Sequence, residues 1–141
     1  MNPIATIADA IVAALNAHAF SRPFTAERAY RPVFELGELK NLRVTVVPKS
    51  VEITTANRST SQLDMQIDVG IQQKLVAADN NEIDALMDLV HEIIEHIRTV
   101  GLFGSASLIK AENDPIYSVD HLGELRTFTS VVTLTLRVMT P

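Results

Sequence analysis

The residues of this chain best suited to chemistry stand together as His91-Glu92-Ile93-Ile94-Glu95-His96. Two histidines four residues apart share a helix face and hold zinc in metalloproteases, while the glutamate beside the first activates a bound water. Here the second histidine comes one place later. At about 100° per residue, His91 and His96 point about 140° apart. Two pairs remain in register, His91 with Glu95 and Glu92 with His96, but they leave the helix in different directions. One His/Glu pair is too few ligands for zinc. The inverted HxxEH pattern fails as well, because Glu92 stands where its first histidine belongs.

The remaining candidates are weaker. His18 continues the apolar stripe of an N-terminal helix, a place where a lone histidine serves packing. Asp64 and Asp68 share one face of an alternating segment, as paired catalytic carboxylates would, yet carboxylates on the wet side of an amphipathic strand are commonplace. Gly101-Leu-Phe-Gly-Ser105 lacks the lysine and the glycine spacing of a phosphate loop. The chain has no cysteine, which removes disulfides, thiolate metal sites and a cysteine nucleophile. No enzyme is indicated, and no metal or cofactor is expected.

The elements that would position these residues follow from periodicity. Asn2 caps and Pro3 opens a helix whose Ile4, Ile7, Ile11 and Leu15 form one stripe, ending at Ser21-Arg22-Pro23. Phe24 to Tyr30 reads as a strand stopped by Pro32, followed by a turn-like Glu35–Leu39. Leu42 to Val47 and Val51 to Thr55 read as two strands joined at Pro48-Lys49. In Gln62 to Gln72, Leu63, Met65, Ile67, Val69 and Ile71 alternate with Gln62, Asp64, Gln66, Asp68 and Gly70, the pattern of a half-buried strand. Gly70 on the polar face predicts a bulge or a close approach of another chain.

A second helix begins after Asp79, with Glu82 completing a capping-box pattern, and runs to about Val100 before Gly101. Its apolar stripe is Ile83, Leu86, Val90, Ile93, Ile97 and Val100. Asp84, Asp88, Glu92 and Glu95 form an acidic opposite face. Ala106 to Glu112 predicts a strand, Val119 to Gly123 a short helical turn, and Arg126 to Met139 a long strand with a threonine-rich outer face. The order α-β-β-β-β-α-β-β predicts an α+β fold, a mostly antiparallel sheet flanked by two main helices.

At 141 residues, 47% of them hydrophobic and 21% charged, the chain has the size and composition of a single domain, 1–141. Its apolar N-terminal stretch lacks a basic leading region and is broken at helical spacing, so it reads as an amphipathic helix, not a signal or membrane segment. A formal net charge of −5, with basic residues scattered singly, argues against a nucleic-acid-binding surface. Long strands with polar outer faces suit a building block covered by copies of itself. The acidic helix face (Asp84, Asp88, Glu92, Glu95) and the strand face (Gln62, Asp64, Gln66, Asp68) are the candidate interfaces.

The first helix ending in Ala-Leu-Asn16, the segment Phe34 to Pro48 (FELGELKNLRVTVVP) and the stretch Ile67 to Leu75 (IDVGIQQKL) carry a likeness to a known family. So do the acidic helix Glu82 to Arg98 and the closing strand Phe128 to Val138. In this layout the chain resembles the tail-terminator and tail-completion (neck) proteins of tailed bacteriophages. The resemblance implies a homo-oligomeric ring, commonly a hexamer, that caps the tail tube and meets the head-tail connector. DNA would pass through it without specific binding, and the protein would reside in the virion after assembly in the host cytoplasm. The alternatives are a head-completion or stopper protein of the same neck, a small metal-dependent hydrolase using His91 and His96, and a monomeric protein-binding module.

Overall fold

The computed structural model describes residues 2–30 and 40–140. The expected stop at Pro32 and the turn at Glu35–Leu39 lie outside the described residues. Helix α1 (Pro3–Asn16) opens as its sequence dictates, with the Asn2 side chain accepting from the Ala5 N–H at 2.9 Å and Pro3 in the first turn. It ends five residues earlier than expected, because Asn16 turns its amide to the backbone of Ala26. Its Nδ2 donates to the Ala26 carbonyl at 3.1 Å, and its Oδ1 accepts from the Ala26 N–H at 2.7 Å. His18 therefore lies beyond the helix, and it is exposed instead of continuing the stripe.

The clasp holds β1 (Ala26–Arg28), which is shorter than expected and pairs in parallel with β2 (Arg43–Thr55). The two strands expected on either side of Pro48-Lys49 are one. Pro48 pairs with Ile67 and Ser50 with Gln66, leaving Lys49 as a bulge. A proline without an N–H is tolerated there, because bulges and outer strand edges are where the ladder does not need its donor. Strand β3 (Ser61–Lys74) lies between β2 and β6 (Thr127–Thr140), antiparallel to both. Leu63, Met65, Ile67, Val69 and Ile71 are buried, as their alternation predicts. Gly70 marks no bulge: it pairs in register with Thr45 and Val131 and is buried between them.

Helix α2 (Asn80–Val100) starts at Asp79, whose side chain accepts from the Glu82 N–H at 2.9 Å, and stops at Gly101 in the left-handed region at φ 67°. Glu82 does not close a reciprocal capping box. Its carboxylate instead accepts from the successive N–H groups of Val76, Ala77 and Ala78 at 2.8–3.2 Å, holding the loop in which Ala78 adopts φ 55°. Leu86, Leu89, Val90, Ile93 and Ile97 are buried, whereas Val100, expected in the stripe, is exposed.

A two-residue strand β4 (Leu102–Phe103), not foreseen from the sequence, precedes β5 (Ala106–Glu112), and α3 (Val119–Glu124) precedes β6. The sheet has six strands in the order β1-β2-β3-β6-β5-β4, antiparallel except for the β1–β2 pair. The fold is thus α+β, with a third helix and the element order α-β-β-β-α-β-β-α-β. Helices α1 and α2 cover one face, and the core lies between them and Ile67, Val69, Val132 and Leu134. On the other face, His121 of α3 sits 2.8 Å from the Thr129 hydroxyl.

Candidate interaction surface

The hexapeptide at 91–96 disperses. His91 is exposed and borders a small hollow between α2 and Ile116. Glu92 turns toward the segment after α1, accepting from the Ser21 N–H at 3.0 Å and from the Ser21 hydroxyl. Ile93 is buried, Ile94 half-buried, and Glu95 pairs with Arg98 at 2.7 Å. His96 faces α1, its Nε2 3.1 Å from the Ala14 carbonyl, and stacks on His18 with 4.1 Å between ring centroids. Phe20 meets both rings edge-on. A backbone carbonyl accepts from Nε2, so that nitrogen carries its proton and offers no lone pair to a metal. Among the described residues, no group of three or more His, Cys, Asp or Glu side chains is placed to hold a metal ion.

The acidic face of α2 is divided by the same contacts. Asp84 and Asp88 remain exposed, while Glu92 is engaged by Ser21 and Glu95 by Arg98. The Arg98 guanidinium holds the Glu95 carboxyl below its ordinary range, with a smaller contribution from His91.

Gln62, Asp64, Gln66 and Asp68 line the sheet face opposite α1 and α2, so the structure does not bring this patch together with the acidic helix. Arg137, across the ladder from Asp64, approaches it with Nε at 2.8 Å and a second nitrogen at 3.2 Å. These hydrogen bonds lower the Asp64 pKa against the opposing effect of desolvation. Asp68 accepts from the Thr133 hydroxyl at 2.7 Å and lies 3.8 Å from the Lys49 ammonium. The two aspartates each have a partner on a neighbouring strand, Arg137 for Asp64 and Thr133 for Asp68, which makes them ladder contacts between strands. Further along this face Gln72 is 2% exposed, its Oε1 lacks a partner among the described residues, and it borders a hollow of about 310 Å³ with Ser118, His121 and Thr129.

The features that reading the sequence missed are the borders of the sheet. Strand β1 pairs with β2 only through Val44, Thr45 and Val46. From Val47 to Thr55 the outer edge of β2 has no partner strand among the described residues, and every residue from Lys49 to Thr55 is exposed. Val51 and Ile53 project on the α1–α2 side beyond the reach of those helices, 44% and 68% exposed. At the other border β4 covers Ala106 and Ser107, and the Gly101 carbonyl takes the Leu108 N–H at 2.8 Å. The edge of β5 is open from Ile109 to Glu112 among the described residues. The signal for the first edge was present: Val51 and Ile53 alternate with Glu52 and Thr54 right after the proline.

Comparison with protein-family models and with curated proteins finds no match to this chain. No helix among the described residues is long and apolar enough to cross a membrane.

Proposed function

We propose that this chain is a structural virion protein of a tailed bacteriophage or prophage, of the tail-terminator kind. Identical copies form a ring that caps the tail tube and joins it to the head-side connector. The reading rests on the resemblance carried by residues 34–48, 67–75, 82–98 and 128–138, and on one structural observation. Among the described residues, a single six-stranded sheet has an open stretch of strand edge at each border. An open edge presents unpaired N–H and C=O groups, and proteins that work alone cover or blunt such edges. Two different edges on one subunit suit a head-to-tail contact, which closes into a ring when the rotation between neighbours permits.

The charge fits a lumen that DNA crosses. With a net charge of −5, the chain has few fixed cations to retain phosphate. The site of action is the virion neck, after assembly in the host cytoplasm. Gold-labelled protein added to purified tail tubes tests the role: the account expects label at one end of each tube and none along its length. Label on isolated heads and not on tubes would favour the stopper role instead, and no label on either would remove the virion reading.

A further inference from the structure

We propose that neighbouring copies join by strand pairing, the open edge of β5 in one copy against the open edge of β2 in the next. The inference rests on the reading that the chain assembles with copies of itself, and it names the contact.

Direction supports it first. Strand β2 is antiparallel to β3, β3 to β6 and β6 to β5, so β5 runs antiparallel to β2. A second copy set beside the first in the same orientation therefore offers its β2 antiparallel to the first copy's β5, continuing the sheet in its prevailing sense.

Height supports it next. Following the ladders across the sheet, Glu112 is level with Thr133, Asp68 and Val47, and Lys110 is level with Thr135, Gln66 and Ser50. The open part of β5 thus begins at the height at which β2 becomes open, on the opposite border. Copies side by side meet edge to edge with little displacement along the strands.

Side-chain chemistry supports it third. A slide of about two residues, which keeps every side chain on its own face, sets Glu52 opposite Lys110 and sets Ser50, next to the bulged Lys49, opposite Glu112. The same register sets Val51 opposite Ala111 on the other face. Opposite charges across a ladder are favourable and like charges are not. In the single chain, Lys110 and Glu112 pair at 2.8 Å with both side chains exposed, so the contact adds the neighbour's Glu52 to an ion pair that is already at the surface. Each edge carries one bulge, at Lys49 and at Ile109, which limits indiscriminate pairing.

The test uses two variants of the full chain, each altered at exposed positions of one edge: Val51→Lys with Ile53→Lys, and Ile109→Lys with Ala111→Lys. Circular dichroism checks the fold, and sedimentation velocity reads the mass. The wild type is expected to assemble, and each variant alone to weaken assembly at least tenfold. Mixing the two variants is expected to give dimers, because one intact β5 edge then meets one intact β2 edge and growth stops there. Should a lysine variant unfold, Glu52→Lys and Lys110→Glu take its place: each alone weakens assembly, and the mixture restores it. A wild type that assembles while the folded variants assemble equally well overturns the strand contact and leaves the ring reading standing. Variants that stay monomeric when mixed also overturn it, whereas a wild type that never assembles overturns both.

Discussion

The imidazole of His18 stacks on that of His96, 4.1 Å between centroids, although His18 lies just beyond α1 and His96 far along the chain in α2. With the His96 Nε2 3.1 Å from the Ala14 carbonyl, the stack fastens the segment after α1 to the side of α2. An aromatic pair is worth roughly 0.5–1.5 kcal/mol beyond its buried area, and a neutral hydrogen bond about 1 kcal/mol. His96→Ala is therefore expected to cost about 1–3 kcal/mol in urea unfolding. His18→Ala, which removes only the exposed partner, should cost less than half as much. A His18/His96 double-mutant cycle with no coupling would show that the stack contributes nothing.

Glu82 is expected to matter more than an exposed glutamate normally does. Its carboxylate collects the N–H groups of Val76, Ala77 and Ala78, which otherwise have no protein acceptor among the described residues. Hydrogen bonds to a charged acceptor are worth about 1.5–3 kcal/mol. Glu82→Ala is expected to cost at least about 1.5 kcal/mol and to speed amide exchange at positions 76–78, where exchange by NMR reads it directly. Unchanged exchange there would contradict the assignment.

The Asp64–Arg137 contact should impose a pH dependence of known sign. Hydrogen bonds from Arg137 lower the folded-state pKa of Asp64 below its ordinary 3.8. Its contribution to stability is therefore complete above the unfolded aspartate value and is lost as pH falls through the lowered folded value. The stability difference between the wild type and Asp64→Asn is expected to be present at pH 7 and to vanish in strong acid. It should also shrink with added salt, since both side chains are partly exposed. A difference that grows on acidification would have the wrong sign.

These contacts separate what the amino-acid order makes legible from what it does not. The alternation of Leu63 to Ile71 fixes β3 and its buried face, and Asp79 with Gly101 brackets α2, because period and capping are local properties. Pro48 misleads: a local rule reads it as a break, whereas the bulge at Lys49, and an outer edge without a partner strand among the described residues, let β2 pass through it. Where β1 begins depends on Asn16 clasping Ala26 across the chain, a contact no local pattern announces. In the hexapeptide at 91–96, helix geometry already separates the two histidines. That His96 would turn to Ala14 and His18 depends on where α1 packs.

The two faces of α2 should respond very differently to truncation. Ile93 is fully buried between α2 and the sheet, so Ile93→Ala is expected to cost about 2–5 kcal/mol. Asp84 and Asp88 are exposed, and alanine at either should change stability by less than about 0.5 kcal/mol. Chemical unfolding of the three variants compares them. A large loss at Asp88 would mean that this face is engaged within the folded chain.

The mass of the native protein in solution tests most directly the proposal that copies of this chain join into a closed ring. Sedimentation velocity across a hundredfold range of concentration, backed by native mass spectrometry, is expected to show one discrete species of fixed copy number. A monomer that persists unchanged across that range would contradict the account.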